Sequence, residues 1–299
     1  MKKISVIIST FNRQEKVSET IRCFSEQTVA VEDYEIIIVD NGSKMAVKLP
    51  ENLRQKDVQL IRFETNQERS KSRNAGVDAS SGKLVFFSDD DMIVKPDFLS
   101  HHLVAHEEWD KLLAIGKIIL PPEKLSDPGI RYRQALEVDG IPIVRGLVDQ
   151  PNFATAANMS ISREIYLQLG GFDPGMAGIE DQDFAMRHTK NGGKIAFLPE
   201  AVAIHNDDWL DFLSFCQRQE RGAEWTVAFS RRYPDWGDTQ TRDLVNGRLN
   251  LGEEPLSIST KKILKSLLGT ALGKTGLAAT ISGMEKIAPQ SRFLNHLYN

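Results

Sequence analysis

The most informative residues of this sequence are Leu84-Val85-Phe86-Phe87-Ser88-Asp89-Asp90-Asp91, an apolar run that leads into three consecutive carboxylates. Its short length and β-forming side chains predict a strand buried on both faces. Adjacent like charges raise one another's pKa unless a cation or hydrogen-bond donors offset the repulsion. Hard divalent cations take carboxylate and phosphate oxygens as ligands. The three acids therefore form either a binding site for a metal ion and a phosphate or a solvated acidic turn before a helix that starts at Pro96.

The composition is typical of a globular protein. The chain has 299 residues, of which 41% are hydrophobic and 26% are charged, enough for one large core or for a domain with an appendage. The formal net charge of −4 argues against general binding of nucleic acid. No window approaches the roughly 18 apolar residues needed to span a bilayer, and no signal peptide precedes the first apolar run. We expect a cytoplasmic protein.

Apolar, β-branched runs alternate with segments of helical periodicity in the first third of the chain. Strands are predicted at 4–9, 34–39, 58–63 and 84–88, and helices at 16–26, at 66–76 and from Pro96. This order indicates an α/β layout with a mostly parallel sheet. No glycine occurs from Ser9 to Glu26, which excludes a glycine-rich dinucleotide-binding turn, and the P-loop motif is absent. We infer that side chains and a metal hold any bound nucleotide.

The second half predicts further strands at 113–120, 153–159, 194–198 and 201–205. A short helix from Ser162 ends at Gly170-Gly171. The acidic segment Glu180-Asp181-Gln182-Asp183 opens another helix, and His205 stands at a strand end. A histidine in that position is either a packed, hydrogen-bonded residue or a metal ligand.

With these segments in order, the chain resembles the glycosyltransferases of family 2, which have the GT-A fold. The motifs that carry the resemblance are Ser-Thr-Phe-Asn-Arg at 9–13, Val-Asp-Asn-Gly-Ser at 39–43, Arg-Asn-Ala-Gly at 73–76, Ser-Asp-Asp-Asp at 88–91, Gly-Gly-Phe-Asp at 170–173 and Glu-Asp-Gln-Asp-Phe at 180–184. The resemblance covers about residues 4–210. It implies a Rossmann-like, mostly parallel central sheet flanked by helices, with a C-terminal helical appendage.

The resemblance also implies a division of the chain. Residues 1–210 would form the catalytic domain, with a nucleotide-binding half over about 1–110 and an acceptor half over 111–210. Residues 211–299 would form a helical extension.

The resemblance assigns the nucleotide and metal sites residue by residue. Thr10, Phe11 and Arg13 would line the nucleotide pocket, Asp40 would accept a hydrogen bond from N3–H of a uracil-type base, and Arg73 would lie beside the base or the phosphates. The ribose and a divalent cation, Mn²⁺ or Mg²⁺, would be held by Asp89, Asp90 and Asp91. The family pattern needs two acids and three are present, so the ligand assignment stays open. Asp91 is favoured as a metal ligand, together with Asp89 and His205, and Asp89 is placed nearest the ribose.

The implied reaction is transfer of a sugar from a nucleoside-diphosphate sugar, UDP-linked by preference, to an acceptor hydroxyl with inversion. A bound metal would stabilise the departing diphosphate, and Asp181, paired with Glu180, would be the general base. A helix N-terminus is expected to lower the pKa of that base. Two rival functions remain. One is a sugar-nucleotide-binding protein without catalysis, and the other is a sugar-nucleotide pyrophosphorylase, which would need a glycine-rich basic loop after the first strand.

The C-terminal segment differs in charge from the rest of the chain. Residues 258–299 contain six Lys or Arg residues and one acid, a net charge of +5. Apolar residues between 263 and 272 share one helical face. A basic helix with one apolar face can lie on the anionic inner surface of a membrane. Alternatively, its apolar face can pack against the catalytic domain or another subunit. The expected acceptors are saccharides, lipid-linked molecules or other hydroxyl compounds of polysaccharide or glycoconjugate biosynthesis.

Overall fold

The computed structural model describes residues 2–126, 130, 134, 144–148, 154–207, 222 and 225–234. These residues belong to two compact units. The first contains residues 2–126, 134, 144–148 and 154–207, and the second contains Ile130, residue 222 and residues 225–234. Residues 225–232 of the second unit are helical. The basic segment 258–299 lies outside the described residues, and the proposed division at residue 210 stays a prediction.

The first unit alternates strands and helices as the apolar pattern predicts. Its strands are β1 (Ile4–Thr10), β2 (Tyr34–Asp40), β3 (Val58–Arg62), β4 (Leu84–Ser88), β5 (Met92–Val94), β6 (Leu112–Ile119), β7 (Gly146–Leu147), β8 (Asn158–Ser162) and β9 (Lys194–His205). Its helices are α1 (Gln14–Ser25), α2 (Arg69–Asp78), α3 (Phe98–Glu108), α4 (Arg163–Gln168) and α5 (Glu180–Lys190). Short 3₁₀ turns cover Pro122–Lys124 and Pro174–Met176.

All nine strands belong to one sheet, in the order β3-β2-β1-β4-β8-β6-β9-β5, with β7 paired to β9. The pairs among β3, β2, β1 and β4 are parallel. Strand β8 then runs antiparallel to both β4 and β6, while β6 and β9 are parallel. Because β1, β2 and β4 are parallel neighbours, the polar residues that follow them meet at one edge of the sheet.

The central strands bury both of their faces, as their continuous apolar runs predict. On β4, Phe86 points to a cluster formed with α1 and α3, whereas Val85 and Phe87 point to a cluster formed with α2, α4 and α5. The ring of Phe86 lies 5.4 Å from that of Phe98 on α3, and the ring of Phe87 lies 5.0 Å from that of Phe172. The first unit is therefore a sheet between two layers of helices.

Two motifs of the sequence keep the layer of α2 close to the sheet. A Cβ atom at Gly76 would lie 2.5 Å from Cγ2 of Ile7, so only glycine allows α2 its present distance from β1. The Asn74 amide donates to the carbonyl of Phe172 at 2.9 Å and accepts from its N–H at 3.0 Å. Gly171 has φ of +67°, and a Cβ there would lie 2.8 Å from Oδ1 of Asn74.

Some local boundaries differ from the sequence prediction. Helix α3 begins at Phe98, because residues 96 and 97 form a turn. The segment 154–157 is not part of a strand, and β8 begins only at Asn158. Residues 194–205 form one continuous strand, and residues 92–94 form β5, which pairs antiparallel with the end of β9. That pairing was not foreseen, and it positions His205.

We expect the substitution Phe86→Ala to lower the free energy of unfolding by about 3–5 kcal/mol, since it removes a fully buried ring from the main cluster and leaves a cavity. Urea denaturation followed by circular dichroism measures the difference. The control is Val104→Ala on α3, where the side chain is 48% exposed. If both variants lost the same stability, Phe86 would not be part of a close-packed core.

Candidate active site

The site begins where β1 and β4 end side by side. Their register pairs Ile8 with Ser88, so the residues two positions further along each chain come together. The hydroxyl of Thr10 donates to Oδ2 of Asp90 at 2.6 Å. Thr10 is almost fully buried, and its hydroxyl therefore positions Asp90 rather than facing an open pocket. Phe11, the next residue, is 39% exposed at this edge.

Arg13 offsets much of the repulsion among the three acids. Its guanidinium contacts Oδ1 of Asp90 at 3.1 Å and Oδ2 of Asp91 at 2.9 Å. Asp207 lies 3.6 Å from the same group. The structure shows that Arg13 contacts the acidic cluster, and the expectation that it lines the nucleotide pocket stays a prediction. Asp207 is a member of the site that the sequence motifs did not reveal.

The register of β5 and β9 brings a histidine to the acids. Met92 pairs with His205, and Asn206 donates its N–H to the carbonyl of Asp91 at 2.8 Å. As a result, ligand atoms of Asp89, Asp91 and His205 all lie within 4.8 Å of one another. These are the three residues that the family resemblance implies as metal ligands.

This cluster fits a divalent cation. Both carboxylate oxygens of Asp91 are buried and have no hydrogen bond of normal geometry among the described residues. Their nearest charged neighbours are Arg13 at 2.9 Å and Nε2 of His205 at 3.3 Å. Two carboxylates and one imidazole are a donor set that Mn²⁺ accepts, and carboxylates also suit Mg²⁺.

The three neighbouring acids differ in their electrostatic environment. Burial raises the pKa of Asp89, but the charges of Arg73 and Arg69 outweigh burial and bring it down to about 2. For Asp91 too, burial is outweighed, here by His205 and Arg13, and the pKa is lowered. For Asp90, burial dominates and the pKa is raised to about 6. Asp90, which contacts Thr10 and Arg13, thus has a raised pKa. Asp89 and Asp91, which lie near His205, have lowered pKa values.

Arg73 occupies a buried position between the acids after β4 and the start of α5. Its guanidinium contacts Oδ1 of Asp89 at 2.7 Å and Oε1 of Glu180 at 2.9 Å, and it lies over the ring of Phe172. Only 3% of its side chain is exposed. In this structure the guanidinium is held by protein groups, and the expectation that Arg73 lies beside a base or the phosphates stays a prediction.

Asp181 lies at the N-terminal end of α5, next to Glu180. Its Oδ2 accepts the N–H of Ala156 at 3.1 Å, and its Oδ1 accepts the N–H of Gln182 at 3.0 Å. Its side chain is half-buried, unlike that of Glu180, which is buried. Burial and the negative charge of Glu180 raise the pKa of Asp181 to about 6. The sequence analysis expected a lowered pKa from the helix N-terminus, and that expectation was wrong because burial and the neighbouring charge dominate.

Asp40, the residue expected to contact a base, is surrounded by hydrogen-bond donors of the protein. It is fully buried, its Oδ1 accepts from the N–H of Ser43 at 2.9 Å, and its Oδ2 accepts from the N–H of Val47 and from Arg62. Burial raises the pKa of Asp40, but these donors and Arg62 outweigh burial and lower it. Both oxygens of Asp40 accept from protein donors in this structure, and the expected hydrogen bond to a base stays a prediction. Asp40 fixes the loop after β2.

Arg69 is a second residue that the motifs did not reveal. It is the first residue of α2, one turn before Arg73, and it is exposed. Two arginines four residues apart on a predicted helix were the available signal, because such residues share one face.

None of the helices that the structure describes combines the length and the hydrophobicity that a membrane-spanning segment requires.

Comparison with known proteins identifies the family. The model of the family "Glycosyl transferase family 2" matches residues 5–170. An uncharacterized glycosyltransferase of Haemophilus influenzae is 29% identical over 187 residues, which cover 62% of this chain and 61% of that protein. The chain thus spans about three fifths of that relative. A glucosyl-dolichyl phosphate glucuronosyltransferase of Haloferax volcanii is 23% identical, with 90% and 93% of the two chains covered.

Solved structures share the fold at low sequence identity. The mannosyltransferase PcManGT of Pyrobaculum calidifontis, in complex with GDP-Man and Mn²⁺, matches with a TM-score of 0.60 and 16% identity over 99% of this chain and 84% of that one. The TarS fragment 1–349 of S. aureus, in complex with UDP, matches with a TM-score of 0.54 and 15% identity over 99% and 88%. With its sequence motifs, its mixed sheet and the family match in agreement, this chain belongs to glycosyltransferase family 2 and has the GT-A fold.

Proposed function

We propose that the protein is a metal-dependent, inverting glycosyltransferase. It moves a sugar from a nucleoside-diphosphate donor, UDP-linked by preference, to an acceptor hydroxyl. The observation that carries this proposal is the arrangement around Arg73. On one side lies the carboxylate and imidazole cluster of Asp89, Asp91 and His205, and on the other side Glu180 adjoins a half-buried Asp181.

The charges around Asp181 suit a general base. Arg73 pairs with Glu180, and the charge of Glu180 together with burial raises the pKa of Asp181. A carboxylate with a raised pKa accepts a proton more readily than an ordinary aspartate and is still ionised at neutral pH. Asp181 therefore takes the proton of the acceptor hydroxyl as that oxygen attacks the anomeric carbon. Attack from the side opposite the leaving group inverts the configuration at that carbon.

The leaving group needs charge stabilisation at the other side of the site. A divalent cation bound by Asp89, Asp91 and His205 would supply it as a Lewis acid at the diphosphate. The chain's own contribution is to hold two ligand carboxylates ionised, since the pKa of Asp89 and that of Asp91 are both lowered. Thr10 and Arg13 orient Asp90 beside them.

Related proteins support the choice of substrates. One structural neighbour was solved with UDP, and another with GDP-Man and Mn²⁺. UDP and GDP are therefore the two nucleotides to compare as the leaving group of the donor. The Haloferax relative is named for a lipid-linked acceptor, glucosyl-dolichyl phosphate. A lipid-linked or saccharide acceptor is accordingly our proposal for this chain, and peripheral contact with a membrane would suit it.

We expect Asp91→Asn to weaken Mn²⁺ binding at least about tenfold, because it removes the charge of a proposed metal ligand. Substitution of residues that only support a ligand already lowers metal affinity about 10- to 100-fold. Isothermal titration of Mn²⁺, followed by titration of UDP and of GDP with and without the metal, measures the change. The matched control is Asp97→Asn, an acid whose side chain is 59% exposed. Equal Mn²⁺ affinity in wild type and Asp91→Asn, or binding of both nucleotides independent of metal, would refute the proposed metal site.

We expect Asp181→Asn to lower kcat by about 10²–10⁴-fold and to leave nucleotide affinity unchanged, because the amide cannot accept the proton. Release of UDP from a panel of UDP-sugars with candidate acceptors measures turnover. The control is Glu164→Gln, an exposed acid in the first turn of α4. Undiminished turnover in Asp181→Asn would exclude this residue as the base. Nucleotide-sugar binding without any turnover in wild type would instead favour a protein that only binds sugar nucleotides.

The acid side of the pH profile provides a separate test. A base whose pKa is raised to about 6 is protonated and inactive below that pH, so kcat should rise as pH increases through about 6 and then level off. Mn²⁺ affinity measured at each pH separates this effect from protonation of metal ligands. A profile that is flat from about pH 5 to 8 at saturating metal and donor would contradict the assignment.

A further inference from the structure

Arg69 is an exposed cation placed on the same face of α2 as the buried Arg73. It opens the helix and lies four residues before Arg73, and residues at that spacing are neighbours on one helical face. The charge of Asp89, and after it that of Glu180, raises the pKa of Arg69. These are the same two carboxylates that Arg73 bridges. Arg69 is therefore an exposed cation close enough to the acids of the site to interact with their charge.

The three arginines of the site differ in what holds them. Arg73 is enclosed between two carboxylates, and Arg13 contacts two further acids of the cluster. Arg69, in contrast, forms neither a hydrogen bond nor an ion pair through its guanidinium within the part of the chain that the structure describes. An exposed guanidinium beside acids, with no carboxylate of its own, is available to an added anion.

The charge balance of the site calls for such a cation. The described acids of the site outnumber Arg13 and Arg73, the two arginines that pair with them. These acids are Asp89, Asp90, Asp91, Glu180, Asp181 and Asp207. A divalent cation offsets part of this excess, but a diphosphate brings further negative charge next to the carboxylates. Arginine binds phosphate through two parallel, charge-assisted hydrogen bonds.

We propose that Arg69 binds the diphosphate of the nucleotide-sugar donor, and that Arg73 is a structural bridge without a phosphate contact. This inference rests on the proposed function and adds a specific donor-binding residue to it. It also gives separate roles to the two arginines one turn apart on α2. Arg73 pairs with Asp89 and Glu180 inside the protein, and Arg69 binds the diphosphate.

The test compares UDP with uridine, which has the base and the ribose but no phosphate. Both are titrated calorimetrically, with saturating Mn²⁺, into wild type, Arg69→Gln and Arg69→Lys. The matched control is Lys71→Gln, an exposed cation two residues further along α2, which faces a different direction because residues i and i+2 do not share a helical face. Titration of Mn²⁺ alone into each variant shows whether metal affinity has changed.

We expect Arg69→Gln to raise the Kd of UDP at least about tenfold, the usual effect of losing a charge-assisted hydrogen bond. The Kd values of uridine and Mn²⁺, and all values for Lys71→Gln, should stay within about twofold of wild type, as for surface substitutions without a specific contact. Arg69→Lys should recover part of the UDP affinity, since it keeps the charge but not the fork of donors.

Two results would overturn the inference and leave the proposed function standing. One is UDP affinity in Arg69→Gln equal to that of wild type, and the other is an equal loss for UDP and uridine, which would indicate a general effect on folding. If wild type itself bound neither UDP nor GDP in the presence of Mn²⁺, the proposed function would fail and the inference would fail with it.

Discussion

The contacts of Arg73 with Asp89 and Glu180 connect the parts of the site that the sequence keeps far apart. A buried arginine is strongly unfavourable unless it is paired, and removing either partner leaves an uncompensated charge. The pairing therefore constrains the loop after β4 and the start of α5 at the same time. Helix α2 can supply this bridge because Gly76 allows it to lie close to β1 and because Asn74 binds the backbone of Phe172.

The same distribution of charge produces two kinds of carboxylate within one site. Asp89 and Asp91 are held ionised by arginines and His205, which suits ligands of a hard cation. Asp181 experiences burial and the charge of Glu180, which suits a proton acceptor. Arg73 contacts both ends: it lowers the pKa of Asp89, and it pairs with Glu180, whose charge raises the pKa of Asp181. The proposed metal ligands and the proposed base thus have opposite electrostatic requirements, and Arg73 contacts an acid on each side.

The strands and most helices could be predicted because buried parallel strands have continuous apolar runs, and β1, β2 and β4 were placed to within a residue or two. The sequence also predicted the candidate site residues at the ends of elements, because their motifs stand there. These residues are the acids after β4, the acids at the start of α5, and His205. The protein contacts of Asp40 and Arg73 were not predicted, and their expected contacts with the nucleotide stay predictions. Both residues turned out to be enclosed by protein groups, and whether a polar side chain faces a ligand or a neighbour depends on contacts across more than 20 positions of sequence.

The sequence by itself determined the α/β layout, the family and the identity of the acids at the sheet edge, because these depend on local periodicity and short motifs. Only the tertiary structure decided which acids meet His205, since that follows from the antiparallel register of β5 and β9. It also decided which arginine is buried and which is exposed on α2. The raised pKa of Asp181 was likewise decided by the tertiary structure. The burial that desolvates this side chain arises only when distant segments of the chain pack together.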